Sequence, residues 1–173
     1  MQPDPAFDAR LAFARKVEMG LSAWLQARGG FILPVYDYSG LGDGKAPKLQ
    51  GVDNSLVTPD LFTARQGQTR WVEVKWKSEA TWTHITQRFE TGIDRRLWTH
   101  YERVEAETGI PVWLLFVHEK EGEVRGQSIA ELNKNKRVSV RFNFGRGGIF
   151  FAWDSLVVLA SYSDILAPMA VAS

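Results

Sequence analysis

The sequence predicts a mixed α/β domain in which helices flank a central sheet. Three observations carry this. Residues 6–28 hold apolar side chains at the helical period and end at Gly29-Gly30. Two β-branched and aromatic runs flank the turn-like Gln66-Gly67-Gln68, which makes them antiparallel neighbours. Val112 to His118 is almost continuously apolar and follows a helical segment, the habit of a strand buried on both faces after a crossover.

Each element follows from local chemistry. Pro5 suits the start of the first helix and the paired glycines its stop. Phe7, Leu11, Ala14, Leu21 and Leu25 form the expected core stripe, with one gap that Glu18 occupies. Phe31 to Tyr38 reads as a strand. Ser39 to Ser55 is rich in Gly, Asp and Lys, and a loop of that length inside a compact domain is usually functional or disordered. Leu56 to Ala64 reads as a second strand and Arg70 to Lys77 as a third. Residues 78–92 have no clear period and are expected to be partly helical. Asp94 to Thr108 is a helix with Leu97, Trp98, Tyr101 and Val104 on one face and Gly109 as its stop. Pro111 leads into the apolar strand, and Val124 to Gln127 reads as a short one. Val138, Val140, Phe142 and Phe144 alternate with Ser139, Arg141 and Asn143, the pattern of a half-exposed strand. Gly145 to Gly148 turns the chain into Ile149 to Trp153. Asp154 is the expected cap of a final short helix, and Pro168 to Ser173 are expected to fray. One domain over 1–173 results: a core over about 6–118 and a β-rich C-terminal extension over about 119–167.

The 173 residues are enough for a real core, and 45% hydrophobic with 24% charged residues is the balance of a soluble globular protein. There is no cysteine, which excludes disulfides and thiolate metal sites and fits a reducing, cytoplasmic setting. Any metal must use oxygen ligands or His84, His100 and His118. No apolar run reaches the ~18 residues of a membrane span, and the N-terminus has no signal-peptide pattern, so no membrane partner is expected. The net charge of +1 says little, because a nucleic-acid partner needs local clusters of base. Such clusters exist at Arg95-Arg96, at Lys134-Asn135-Lys136-Arg137 and at Arg141 with Arg146; a solvated surface is the alternative for each.

The third strand concentrates the chemistry. Trp71, Glu73, Lys75 and Lys77 share one face, so an acid and a base project side by side. Asp60 lies on the preceding strand, within reach if the hairpin forms. Two carboxylates on adjacent strands can converge on a hard cation such as Mg²⁺, which prefers oxygen and keeps several waters. A lysine beside the ion can orient water or offset charge in a transition state. The alternative is a surface hairpin with an ordinary cross-strand ion pair. Against it, both acids sit among apolar neighbours, where an uncompensated charge is costly. Glu18, in the gap of the helix stripe, also needs a partner, which a metal site or a basic side chain at the rim would supply.

Pro59-Asp60 followed by Glu73-Val74-Lys75 resembles the PD-(D/E)XK nuclease superfamily, the restriction-endonuclease-like fold. That family has an α-β-β-β-α-β core, and the order read above matches it from residue 6 to about 118. The resemblance implies that Asp60 and Glu73 bind Mg²⁺ (or Mn²⁺) with the carbonyl of Val74, and that Glu18 holds a second ion or a metal-bound water. It implies that Lys75 positions the attacking water or stabilises the pentacovalent phosphate, and that the reaction is hydrolysis of DNA phosphodiesters. Recombination-type exonucleases of the family add Gln and Tyr in the helix after the lysine. Here Tyr101 is present, but Leu97 stands four residues before it and Gln87 lies far upstream, which leaves the subfamily open. Glu90 to Asp94 resembles small phage or prophage proteins of this type, so phage, recombination and repair settings are all compatible.

Lys45 and Lys48 make the long loop a candidate for gripping substrate, and Arg88, Arg95 and Arg96 are candidates for phosphate contacts. Trp76, Trp82 and Trp98 are expected in the core rather than stacked on bases. Each histidine reads as a surface or hydrogen-bonded residue. Phe142 to Trp153 is either core or the face of a homodimer. Three readings compete with the Mg²⁺-dependent DNA endonuclease or exonuclease: an enzyme for branched or single-stranded DNA, a nucleic-acid-binding or scaffold module that kept the fold and lost catalysis, and an unrelated α/β protein with ordinary ion pairs.

Overall fold

The computed structural model describes residues 5–34, 48–51, 55–140 and 147–170. Helix α1 spans Pro5–Ala27. Its buried row is Phe13, Val17, Leu21 and Leu25, spaced four apart, with Val17 and Leu21 fully buried. The core stripe expected through Leu11 is therefore displaced, since Leu11 is 43% exposed. Glu18 flanks the buried row at intermediate burial and does not interrupt it.

Strand β1 is Phe31–Pro34; the expected continuation to Tyr38 lies outside the described residues, as does most of the long loop. Strands β2 (Lys48–Gln50) and β3 (Ser55–Val57) pair with each other as a separate two-stranded ribbon. The strand expected over Leu56–Ala64 is thus broken at Thr58–Asp60, and β4 is Leu61–Arg65. Strand β5 is Gln68–Lys77. The two-residue turn between β4 and β5 has Gln66 at φ 49° and Gly67 at φ 78°. Positive φ at both central positions matches the twist of a tight hairpin.

Residues 78–92, expected to be partly helical, hold instead the hairpin of β6 (Thr81–Thr83) and β7 (Arg88–Asp94). Helix α2 is Arg95–Thr108: the Asp94 side chain accepts from the Arg96 N–H, and Gly109 ends the helix at φ 67°. Strands β8 (Val112–His118) and β9 (Glu123–Ser128) follow, then a helix the sequence reading missed, α3 (Ile129–Asn135), capped by Ser128. Strand β10 is only Arg137–Ser139; Val140 is a bend, and residues 141–146 lie outside the described set. After β11 (Gly148–Ala152) a single 3-10 turn holds Asp154, whose side chain caps nothing. The chain then adds β12 (Val157–Ser161), which was not anticipated, and α4 (Tyr162–Ala170), the expected final short helix, which starts eight residues beyond Asp154.

The main sheet is six-stranded, in the order β1-β4-β5-β8-β9-β12. Among the described strands only β5 and β8 pair in parallel, from Trp71↔Val112 to Lys77↔His118, because α2 crosses over between them. The expected α-β-β-β-α-β core is thus present, with the β2–β3 ribbon and the β6–β7 hairpin inserted into it. Val72, Val74, Leu115 and Val117 pack on one face beneath α1 and α4. Trp71, Leu114 and Phe116 pack on the other beneath Trp98, Tyr101 and Val104 of α2 and beneath the second sheet, β10-β11-β7-β6. Ile149, Phe151 and Trp153 are buried in this second cluster, so in that stretch the core reading holds over a dimer face.

Candidate active site

Asp60 ends the break between β3 and β4. One step beyond the Leu61↔Val72 pair, it stands beside Glu73. It is 5% exposed, and its Oδ2 accepts a 2.7 Å hydrogen bond from the Val74 N–H. A side chain thus takes the place of a strand partner where the β4–β5 ladder stops. Glu73 is 2% exposed. Its Oε1 is paired with the Lys75 ammonium, and its Oε2 is buried with no hydrogen-bond partner among the described residues. Alternation along β5 sets Glu73, Lys75 and Lys77 on the face shared with Trp71. The Lys75 side chain keeps 27% of its surface exposed, so this row opens to solvent at the lysine.

The electrostatics are those of two acids confined together. Burial pushes the Asp60 carboxyl well above its ordinary range. The Glu73 charge adds to that, and so does Glu18; Lys75 and the Val74 N–H oppose it. When both are ionised, the two buried carboxylates have only one ammonium beside them, and among the described residues the Glu73 Oε2 lacks a donor. A divalent cation fits this donor set: it answers both deficits and prefers oxygen. Glu18 is near enough for its charge to reach Asp60, yet among the described residues no three His, Asp or Glu side chains form a metal-holding group. Asp60 and Glu73 meet where the β4–β5 ladder ends, and the Glu18 charge reaches Asp60 from α1.

One further group was visible in the alternation but had no role assigned. Lys77 lies two residues beyond Lys75 and is half-buried; burial and the Lys75 charge lower its pKa. It has no ion pair among the described residues.

Other expected contacts fare unevenly. Lys45 lies outside the described residues, as do Arg141 and Arg146; Lys48 is exposed at the start of β2. Arg95 and Arg96 are exposed on the first turn of α2. Arg88 is occupied by Glu90, at 3.4 Å, which counts against a phosphate role. The Lys134–Arg137 cluster is also spent internally: Lys134 pairs with Glu131, Lys136 with Glu102, and Arg137 with the fully buried Glu90. Trp76 packs on Phe13 and Trp98 lies in the core. Trp82 does not, being 43% exposed with its ring edge-on to Phe89. Tyr101 is a core residue.

His84 is exposed in the β6–β7 turn, and His100 is half-buried on α2 with its pKa lowered by burial and then by Arg96, Arg103 and Lys48. His118 is fully buried: its Nε2 lies 3.0 Å from Thr91 Oγ1, and its ring stacks on Trp153 at 4.2 Å. Burial pulls its pKa down to about 4, with Lys77 and Arg125 adding to the shift and Glu121 opposing it. It is a neutral structural histidine.

No protein-family model matches the sequence, and no curated protein matches it. Solved structures do. Hjc, a Holliday junction resolvase from the archaeal hyperthermophile Archaeoglobus fulgidus, aligns with a TM-score of 0.53 over 82% of this chain and 89% of its own, at 11% identity. D212, a nuclease from a fusselovirus, aligns at 0.45 over 99% and 94%, at 12% identity. This chain has the restriction-endonuclease-like fold, as its Asp60, Glu73 and Lys75 pattern suggested. Among the described residues no helix is long and apolar enough to cross a membrane.

Proposed function

We propose that this protein is a Mg²⁺- or Mn²⁺-dependent deoxyribonuclease that hydrolyses phosphodiester bonds. The observation that carries the reading is the pairing of Asp60, fixed by the Val74 N–H, with Glu73, whose inner oxygen is buried without a donor among the described residues. Asp60 and Glu73 would hold the ion, with the Val74 carbonyl as the third protein ligand and Glu18 holding a second ion or a metal-bound water. When bound, the ion supplies Lewis-acid polarisation of a phosphoryl oxygen and lowers the pKa of water. Lys75, held by Glu73 yet reaching solvent, orients the attacking water or offsets charge on the phosphorane-like transition state. Attack forms the new P–O bond in line as the bond to the leaving sugar oxygen breaks. Lys77, Arg95, Arg96 and Lys48 offer further positive charge for the backbone.

The test is cleavage of supercoiled plasmid, linear duplex, single strand and a four-way junction, each with Mg²⁺, Mn²⁺ or EDTA. The junction is included because the structural neighbour Hjc is a resolvase. Metal-dependent cutting that disappears in Glu73→Ala is expected. Cutting unchanged by that substitution overturns the assignment. DNA binding without cutting by the parent protein points to an inactive module of the same fold.

A further inference from the structure

On the opposite face of the main sheet from Glu73 and Lys75 is a groove of about 450 Å³ at the start of β5. Val72 and Leu115 form its floor, and Arg28, Arg65, Arg70, Trp24 and Trp113 are among its walls; among the described residues no Asp or Glu lines it. Two of the guanidiniums are held over indoles. Arg28 sits 3.8 Å from the Trp24 ring centre and Arg70 sits 5.1 Å from that of Trp113. Each has one neutral hydrogen bond, Arg28 to the Trp24 carbonyl at 3.3 Å and Arg70 to the Gln68 amide oxygen at 3.0 Å. None of the three arginines forms an ion pair among the described residues. The nearby Asp164 is bonded to Ser161 and feels the Arg28 charge only at range. The indole N–H of Trp24 is buried without a partner among the described residues.

Arg28 and Arg65 are exposed and Arg70 is half-buried, so the three cations and two indoles present a positive, acid-free lining to solvent that favours an anion. Guanidinium forks fit phosphate oxygens, and indole–guanidinium planes fit a base. The volume suits one or two nucleotide units and excludes a duplex, whose bases are already stacked. We propose that this groove binds a nucleotide unit of single-stranded nucleic acid, with phosphate on the arginines and the base on the indole–guanidinium pairs. The site is separate from the proposed catalytic centre and does not depend on it.

The measurement is fluorescence anisotropy of a short labelled single strand in EDTA, so that nothing is cut. Arg28→Gln with Arg70→Gln is expected to weaken binding about tenfold or more and to reduce its salt dependence. Trp113→Leu is expected to weaken it by a similar factor. Competition by a nucleoside monophosphate supports the site with a free nucleotide as its ligand; competition by strands alone supports a nucleic-acid chain. Equal affinity for duplex, equal displacement by polyglutamate, or no effect of the arginine pair overturns the proposal. If Trp113→Leu fails to fold, the arginine pair at the groove wall still decides the matter, with circular dichroism as the check on folding. Plasmid cleavage by the parent protein, read separately, is unaffected by any of these outcomes.

Discussion

The Asp60 carboxylate is held by the N–H of Val74, the residue between Glu73 and Lys75, at 2.7 Å. This bond ties the break before β4 to the middle of β5, so one acid is positioned by the backbone that carries the other acid and the lysine. It also holds charge where charge is unwelcome: burial and Glu73 both raise the Asp60 pKa.

The first prediction concerns that cost. The folded-state pKa of Asp60 is above its ordinary 3.8. The folded protein therefore binds the Asp60 proton more tightly than the unfolded chain does, and stability falls as pH rises from that value through the folded-state pKa. Asp60→Asn removes the charge while keeping an acceptor for Val74. In EDTA at neutral pH the variant should melt at or above the parent temperature. Mn²⁺ should raise the melting temperature of the parent and leave the variant where it is. Saturable Mn²⁺ binding of equal strength in the variant, by calorimetry, would refute Asp60 as a ligand.

How far the sequence led can be judged at single residues. Glu73 and Lys75 were legible because strand alternation is strict: in an apolar strand, two charges two apart must share a face. Asp60 was legible only through its motif, since the break that frees it from the ladder depends on β3 leaving for another ribbon. Glu18 was placed by a stripe through Leu11, whereas the buried row runs through Val17, and this row was set by packing against β5 and α4. The β6–β7 hairpin was hidden because Arg88, Glu90 and Thr91 look solvent-facing. In the fold Glu90 is buried behind Arg137, forty-seven residues away, and no local pattern reports such a partner.

The two lysines of β5 should separate kinetically. Lys75→Gln removes the ammonium beside Glu73 and should lower kcat by about 10²–10³ while Mn²⁺ affinity holds or rises, since Glu73 loses its competing cation. Lys77→Ala is expected to raise KM with little change in kcat, because it stands farther along the row. Steady-state rates on one cleaved substrate distinguish the two. A kcat loss for Lys77→Ala equal to that for Lys75→Gln would place Lys77 in the chemistry.

His118 should make the fold acid-sensitive. Its pKa is lowered from an ordinary 6.5 to about 4, so the unfolded chain takes the proton first as pH falls. Stability is lost from about pH 6.5 downward and the loss is complete below about 4. Between pH 7 and pH 5 this amounts to about 2 kcal/mol. Urea unfolding at the two values should show that difference in the parent and a smaller one in His118→Gln. An equal difference in both would assign the acid sensitivity to other groups.

The second sheet depends on Glu90, fully buried and 3.0 Å from Thr86 Oγ1, with Arg137 on both its oxygens. Burial raises its pKa, but the hydrogen bonds from Arg137, Thr86 and Thr83 and the Arg137 charge lower it further, so it is ionised in the fold. Arg137→Ala leaves that carboxylate with Arg88, Thr86 and Thr83. The expected loss is about 3 kcal/mol, the range for breaking one side of a buried pair. Glu90→Gln keeps an acceptor for Arg137 and leaves no buried carboxylate short of its partner, so it should be the milder change. The stability that Glu90 contributes is present above its ordinary 4.5 and is lost as pH falls through its depressed value, a slope that Glu90→Gln should flatten. Urea midpoints at constant m-value give all three numbers. If Arg137→Ala proves no worse than Glu90→Gln, the pair does not secure β7 against β10 and β11.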